Sequence, residues 1–245
     1  MKNITYLFAC LFLIGVIFTN CKKKEISTGL PDNLISATPD SVLIAKQTAL
    51  FIENRSVPNN YPILFDTIHE KRIILKNDAF VYVTFLKEGA SWTNSLGYYS
   101  YLVSNPPSIT DKNILYPNIS ESGSGGALKP GDMVQIGNGV IPKGTVIGFY
   151  LVAQGWGDGH LTDGVYTNYT DKIFNVNKNQ QSILFIEKTT GKLVLGFEDT
   201  LTDNSILINN LMTDKDFNDI VLSISDSKDP SAVPTSFDLS EVPSL

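Results

Sequence analysis

Two short acidic stretches, each beside an apolar run, dominate the second half of the chain. Gly196 to Thr200 reads Gly-Phe-Glu-Asp-Thr, and Thr213 to Ile224 reads Thr-Asp-Lys-Asp-Phe-Asn-Asp-Ile-Val-Leu-Ser-Ile. Lys192 to Phe197 and Ile220 to Ile224 have the apolar and β-branched composition of strands. One acidic cluster therefore lies at the end of a predicted strand, and the other lies at the start of a second strand.

The carboxylates of these stretches are the first indication of a function. Lys215 is the only basic residue between Asp199 and Asp219, so the negative charges repel one another unless water or a cation screens them. Asp-x-Asp-x-Asn, at positions 214, 216 and 218, has the alternate spacing with which a calcium loop begins. The match to an EF-hand loop stops there, because its sixth and twelfth positions hold Asp219 and Ser225.

The backbone conformation at residues 214–219 decides whether these side chains can share one ion. In an extended chain, Asp216 and Asn218 face one way and Asp219 faces the other. A shared ion therefore requires a loop at 214–219, with Glu198 or Asp199 supplied by the end of the neighbouring strand. The alternative is a solvated acidic turn between two strands.

The N-terminus has the features of a secretory signal followed by a lipoprotein cysteine. Lys2 precedes an apolar run from Ile4 to Phe18, which is shorter than the roughly 20 residues of a membrane span. Cys21 follows at the position of a lipidated cysteine, and the signal resembles the relaxed type of Bacteroidetes-type bacteria. We predict a signal peptide at residues 1–20 and lipidation at Cys21. The alternative is an uncleaved anchor in which Cys21 has no role.

Composition narrows the class of protein further. Cys10 would be removed with the signal, so Cys21 would remain alone and no intramolecular disulfide could form. The net charge of −6, from 19 basic and 25 acidic residues, disfavours nucleic acid as a partner, because nucleic-acid binding requires a basic surface. The same charge is compatible with divalent cations.

Short strand-like segments separated by turns indicate the fold class. Ala79 to Lys87 and Gly144 to Ala153 are rich in aromatic and β-branched residues, and Lys188 to Gly191 is a good hairpin turn. No long amphipathic helix is evident, although residues 41–52 are ambiguous between strand and helix. We predict an all-β protein with a single β-sandwich or jelly-roll-like domain at residues 41–228.

The segments that flank this domain are polar. Residues 21–40 contain a run of lysines and two prolines, which predicts a flexible tether after the signal. Residues 229–245 contain three prolines in a polar context, which predicts a loosely held tail. The predicted order is therefore signal, tether, sandwich and tail.

Four stretches of the chain carry a resemblance to a known family. They are Trp92 to Tyr99, Gly144 to Trp156, Gly196 to Asp199 and Asp214 to Val221. In this order they resemble the domain of unknown function family 4114 of secreted bacterial proteins. Its hallmark is a Phe-Glu-Asp strand end followed by an Asp-x-Asp-Phe/Tyr-Asn-Asp strand start. The resemblance covers about residues 79–226.

The resemblance implies a β-rich, calcium-associated binding or structural module, and it implies no reaction. It carries six oxygen-bearing residues over as candidate metal ligands. These are Glu198, Asp199, Asp214, Asp216, Asn218 and Asp219.

Catalytic motifs are missing from the sequence. There is no Gly-x-Ser-x-Gly elbow, no His-x-x-x-His zinc pair and no cysteine placed as a nucleophile. A glycosidase requires two opposed carboxylates, and Glu198 is one candidate, but an ion-bound carboxylate stays ionised and donates no proton. We therefore expect that the protein is not an enzyme. The alternative is a hydrolase.

A second candidate site lies after a predicted central strand. Trp156, Asp158, His160 and Tyr166 belong to one Gly-rich segment, Trp156 to Tyr169, that reads as a flexible loop. Aromatic faces stack on sugar rings and polar neighbours fix the orientation of a ligand, so we interpret this loop as a candidate carbohydrate site. Trp92, Tyr98 and Tyr99 would contribute if the fold brings them near. The alternative is that these aromatics cap the core.

The sequence thus predicts a lipid-anchored cell-envelope protein with a calcium-binding β-sandwich for adhesion or envelope structure. The alternative is a carbohydrate-binding surface lipoprotein. The expected partners are the membrane, through Cys21, and a surface glycan or another envelope protein. The predicted location is the bacterial envelope, as an outer-membrane lipoprotein that is either periplasmic or surface-exposed.

Overall fold

The structure, a computed structural model, describes residues 27–65, 72–203 and 213–245. The first strands are β1 (Ile35–Ser36), β2 (Ile73–Leu75), β3 (Tyr82–Glu88), β4 (Ser95–Leu102), β5 (Asn113–Tyr116), β6 (Asp132–Gln135) and β7 (Thr145–Val152). The later strands are β8 (Trp156–Gly157), β9 (His160–Leu161), β10 (Thr167–Tyr169), β11 (Ser182–Glu187), β12 (Lys192–Phe197), β13 (Ile220–Ser225) and β14 (Phe237–Asp238). Two α-helices, α1 (Ser41–Leu50) and α2 (Val57–Asn60), and a 3-10 helix at Pro62–Phe65 precede β2, and two further 3-10 helices, Lys172–Phe174 and Val176–Lys178, lie between β10 and β11.

Twelve of the described strands form two antiparallel sheets, and β8 and β9 form a separate two-stranded hairpin. The first sheet has the order β1-β6-β3-β13-β12-β11, and the second has the order β14-β2-β7-β4-β5. Strand β7 is central in the second sheet, because β4 pairs along its whole length on one side while β2 and β10 share the other side. The two predicted strands of the acidic stretches, β12 and β13, are neighbours in the first sheet, with Phe197 opposite Ile220.

The main core lies between the two sheets. Each strand directs alternate side chains inward, so that Phe85 and Leu222 of the first sheet pack in one cluster with Phe149 and Leu96 of the second. All four side chains are fully buried. The prediction of an all-β, sandwich-like single domain is confirmed.

Residues 41–65 cover the outer face of the first sheet. Asp40 accepts hydrogen bonds from the backbone N–H groups of Val42 and Leu43 and so caps the start of α1. Leu43 and Phe51 then pack on outward-facing residues of β11 to β13, including Phe185. The ambiguous segment at 41–52 is therefore mainly a helix, which a β-sandwich can hold as an additional layer.

The predictions for the flanking segments are wrong where the structure describes them. The predicted tether, residues 21–40, is packed on the domain from residue 27 onward, because Ile35 pairs with Met133 and Pro31 is buried. The predicted tail at 229–245 is also folded. Phe237 and Val242 are buried in the main core, since single apolar residues spaced along a polar segment suffice to fix it.

The signal peptide and Cys21 lie outside the described residues. None of the helices in the described ranges is long and apolar enough to cross a membrane.

Candidate cation site and the adjoining groove

The acidic residues gather where β12 ends and β13 begins. Between Thr213 and Asp219 the chain is a loop, because Lys215 and Phe217 have φ angles of 59° and 55°, in the left-handed region. The chain at 214–219 is therefore a loop, as the sequence requires for a shared ion, whereas the ligand expected from Glu198 or Asp199 is not among the three carboxylates that converge. Gly196 and Gly89 make room for the loop: a Cβ on Gly196 would lie 2.6 Å from the Phe217 carbonyl oxygen, and one on Gly89 would lie 2.0 Å from Asn218 Oδ1.

Glu198 and Asp199 contact different parts of the molecule, as consecutive residues of an extended chain do. The Glu198 carboxylate accepts hydrogen bonds from the Phe217 backbone N–H at 2.7 Å and from the Thr213 hydroxyl at 2.5 Å. The Asp199 carboxylate accepts a hydrogen bond from Asn94 Nδ2, at 2.9 Å, at the start of the second sheet's β4. Glu198 therefore fixes the loop, while Asp199 faces the gap between the sheets.

Three carboxylates converge closely enough to hold one cation. One oxygen each of Glu53, Asp214 and Asp216 lies within 4.8 Å of the other two. Asp216 is only 2% exposed, whereas Glu53 and Asp214 are exposed. Asp216 also accepts a hydrogen bond from the Asn54 backbone N–H, at 2.9 Å. The candidate cation site thus joins the segment after α1 to the loop before β13.

Asn218 and Asp219 adjoin this trio and are held by other groups. Asn218 Nδ2 donates hydrogen bonds to Asp216, at 2.6 Å, and to Glu53, at 3.3 Å, so the amide presents its nitrogen to the carboxylates. Asp219 Oδ2 accepts a hydrogen bond from the Asp199 backbone N–H at 2.7 Å. Neither side chain supplies an oxygen to the trio in this arrangement.

Burial and mutual repulsion raise the pKa of the carboxyl groups in this region. Burial, opposed by the bonds from Thr213 and Phe217, raises the pKa of Glu198 to about 7. Burial likewise raises the pKa of Asp216 to about 6, and the charge of Asp214 adds to this effect. The pKa of Asp219 is raised well above its ordinary value by burial and by the neighbouring Asp199. Such shifts are expected where carboxyl groups are buried close together with little positive charge nearby.

The donor set fits a hard cation. In the described ranges, no lysine or arginine forms an ion pair with Glu53, Asp214 or Asp216. Carboxylate oxygens are the preferred ligands of calcium, which takes six to eight oxygens, and water commonly completes the set. Oxygen-to-oxygen distances up to 4.8 Å are those that two ligands can span at calcium's ordinary bond lengths of about 2.4 Å.

The structure brings two of the six predicted ligands, Asp214 and Asp216, into this trio. The other four line its surroundings, and their carboxylates or amides hold the loop, the strand ends or one another. Sequence reasoning missed Glu53, because it lies far from the acidic stretches in the chain. In the local sequence, Glu53 is an acidic residue shortly after a helix, and such residues are too common to indicate a metal ligand.

The second candidate site is a groove beside the acidic region. Its volume is about 530 Å³, and its lining includes Ser91, Trp92, Gln154, Trp156, Thr162 and Asp163. Trp92 therefore joins Trp156, as the sequence allowed. Tyr98 and Tyr99 do not line the groove: Tyr98 packs on the main core, and Tyr99 is buried on the outer face of the second sheet.

The other predicted ligand-binding residues lie outside the groove lining. Asp158 and Gly159 form a two-residue turn with left-handed φ angles of 51° and 79° between β8 and β9. This turn is typical of a tight hairpin, so the predicted flexible loop is a hairpin at this point. His160 is exposed on the hairpin, and Tyr166 packs edge-on against Trp92 with ring centroids 6.2 Å apart.

Asn94 connects the groove to the acidic region. It is fully buried, its Nδ2 donates to Asp199, and its Oδ1 accepts a hydrogen bond of 3.0 Å from the Gln154 backbone N–H. Burial and the charges of the nearby Asp199 and Asp219 raise the pKa of the Tyr166 hydroxyl. Hydrogen bonds through Asn94 therefore link Asp199 of the acidic region to Gln154 of the groove lining.

Together, the two sheets and the acidic strand ends define a β-sandwich module with a candidate cation site at one end. Residues 141–227 match the family model described as Domain of unknown function (DUF4114), which supports the resemblance to that family. The match runs from just before β7 to just after β13 and starts later than the predicted residue 79. No curated protein and no solved structure matches the chain.

Proposed function

We propose that this chain is a cell-envelope protein, held at a membrane through lipidated Cys21, whose sandwich is a calcium-binding module for adhesion or envelope structure. The convergence of Glu53, Asp214 and the buried Asp216 within 4.8 Å carries the calcium part of the proposal. An ion there neutralises clustered charge that no basic side chain of the described residues neutralises. No reaction is part of the proposal.

The proposed ion stabilises the folded domain by joining separate layers. Glu53 follows the helix that covers the first sheet, and Asp214 and Asp216 belong to the loop before β13. These ligands approach one another only in the folded chain, so the free energy of ion binding becomes free energy of folding. A cation-stabilised sandwich suits a module that works outside the cytoplasm without disulfides.

Calorimetric titration of residues 22–245 with calcium at pH 7.5 tests the ion. We expect saturable binding that is about tenfold weaker or worse in Glu53→Gln and in Asp216→Asn, because each substitution removes one charged ligand. Magnesium is expected to bind more weakly, since it demands a stricter octahedral geometry. Asp111→Asn is the matched control, because it removes an exposed carboxylate elsewhere. Unchanged binding in both site variants would refute the assignment.

The lipid anchor has its own test. In a bacterial host with lipoprotein processing, Cys21→Ser is expected to abolish palmitate labelling and to release the protein from the membrane fraction. Cys10→Ser is a matched control, because the chain has two cysteines and Cys10 lies in the predicted signal. Labelling that survives Cys21→Ser would exclude lipidation at this residue.

A further inference from the structure

The groove beside the acidic region contains both tryptophans of the chain, Trp92 and Trp156. Thr93 holds the two segments together by reciprocal hydrogen bonds. The Trp156 backbone N–H donates to the Thr93 carbonyl oxygen at 3.1 Å, and the Thr93 hydroxyl donates to the Trp156 carbonyl oxygen at 2.6 Å. The backbones that carry the two indoles are therefore fixed relative to one another before any ligand arrives.

Each indole is also supported on one side by the protein. The backbone of Gly29 lies against Trp156, since an added Cβ would lie 2.9 Å from the ring atoms Cε2 and Cζ2. The ring of Tyr166 supports Trp92 from its edge. Both tryptophans remain partly exposed, and the surface that they expose lines the groove. Rigid aromatic surfaces of this kind bind a ligand at a low cost in conformational entropy.

Free polar side chains accompany the two tryptophans. Ser91, Gln154 and Asp163 are exposed on the groove lining, and within the described ranges their side chains form no hydrogen bonds. The hydroxyl of Thr162, by contrast, already donates to the Gln154 carbonyl oxygen at 2.6 Å. One hydroxyl, one amide and one carboxylate are thus available to a ligand that stacks on the indoles.

We propose that the groove binds a neutral glycan, with Trp92 and Trp156 stacking on sugar rings. Its volume of about 530 Å³ lies within the usual range of ligand pockets. The apolar face of a sugar ring suits an indole, and sugar hydroxyls suit Ser91, Gln154 and Asp163 as hydrogen-bond partners.

Charge selects a neutral ligand over an anionic one. No lysine or arginine belongs to the groove lining in the described part of the chain, and Asp163 contributes a carboxylate. Acidic polysaccharides are therefore repelled, and this ligand class does not depend on whether the cation site binds calcium.

Intrinsic tryptophan fluorescence tests the proposal directly, because the sequence contains two tryptophans and both line the groove. The chain without the predicted signal and lipidation cysteine, residues 22–245, is titrated with neutral hexasaccharides (cellohexaose, xylohexaose, mannohexaose and laminarihexaose), with oligogalacturonate and with choline. We expect at least one neutral oligosaccharide to change the emission with saturation below about 1 mM. Oligogalacturonate and choline are expected to cause no saturable change.

Variants measured by calorimetry locate the binding. Trp92→Ala and Trp156→Ala are each expected to weaken binding about tenfold or more, while Trp156→Phe keeps a weaker response, because a smaller ring still stacks. Phe80→Ala, which removes an exposed aromatic side chain outside the groove lining, is the matched control and should bind as the wild type does. Circular dichroism checks that each variant is folded.

Three outcomes would overturn the proposal. They are the absence of any response to the neutral oligosaccharides, a response to choline or oligogalacturonate alone, and affinity for a sugar that is unchanged in Trp156→Phe and in both alanine variants. Saturation-transfer NMR on the wild-type protein gives an independent reading if an alanine variant fails to fold. Sugar protons that receive no magnetisation from aromatic protons would contradict stacking.

Discussion

Removing divalent cations from residues 22–245 is expected to lower the melting temperature by about 10 °C at pH 7.5. A ligand at about a thousand times its dissociation constant stabilises the folded state by about 4 kcal/mol, and each kcal/mol shifts the melting temperature of a domain of this size by about 2–4 °C. The physical source is the group formed by Glu53, Asp214 and Asp216, whose charges have no basic partner in the described chain.

Asp216→Asn gives this prediction a sharper form, because the sign of its effect depends on calcium. Without calcium, the variant is expected to melt above the wild type, since it removes a buried carboxylate whose pKa burial raises to about 6. The gain in melting temperature is limited. Both oxygens of the Asp216 carboxylate accept hydrogen bonds from Asn54 and Asn218, whereas the amide of an asparagine has only one acceptor oxygen. With saturating calcium, the variant is expected to melt below the wild type, since it lacks a ligand.

Melting curves of both proteins, recorded in calcium, in magnesium and in chelator, measure the crossover. Asp111→Asn, which alters an exposed carboxylate far from the trio, should follow the wild type in every condition. Identical melting curves of the wild type in calcium and in chelator would show that no divalent cation stabilises the domain. If the melting temperature of Asp216→Asn rises with calcium as much as that of the wild type, the ion must bind to other ligands.

The local sequence pattern was sufficient to predict the strands and the loop of the acidic region. The apolar runs of β12 and β13 and the acidic residues between them predicted a strand end, a loop and a strand start. The left-handed residues Lys215 and Phe217 were not predictable, because neither is glycine or asparagine. They are held by tertiary contacts: Glu198 accepts the Phe217 N–H, and Val57 N–H donates to the Lys215 carbonyl oxygen.

Long-range contacts account for what the sequence did not reveal. Asn54 and Asp216 are bonded although 162 positions separate them, so no local pattern could pair Glu53 with the acidic loop. Thr93 and Trp156 are bonded across 63 positions, and this bond brings the two tryptophans into one groove. The folded tail was missed for a related reason, because Phe237 and Val242 are isolated apolar residues in a polar segment.

Glu88 is a buried carboxyl group outside the cation site. It lies at the end of β3, opposite Ile220. It is 9% exposed, its Oε2 accepts a hydrogen bond from the Glu121 backbone N–H at 2.6 Å, and its Oε1 has no hydrogen-bond partner in the described ranges. The hydroxyl of the neighbouring Ser120 is buried without a partner as well. Burial, opposed by the Glu121 N–H, raises the pKa of Glu88 from 4.5 to about 7.

The sign of the resulting pH dependence follows from proton binding. Because the pKa is higher in the folded state, the folded protein binds more protons than the unfolded chain between pH 4.5 and about 7. The contribution of Glu88 to stability is therefore fully present below pH 4.5 and is lost as the pH rises to about 7. At about 1.4 kcal/mol per pKa unit, ionisation of Glu88 costs about 3 kcal/mol at neutral pH.

Glu88→Gln is expected to abolish this loss, because the amide is uncharged at every pH and its nitrogen can donate to the Ser120 hydroxyl. Urea unfolding at pH 5, 6, 7 and 8, with calcium constant and saturating, measures the free energy of unfolding of both proteins. The variant should gain up to about 3 kcal/mol on the wild type between pH 5 and 8. Glu241→Gln, at an exposed position, should show no such gain. Parallel pH profiles for Glu88→Gln and the wild type would mean that Glu88 ionises in the folded protein without penalty, and that water reaches its carboxylate.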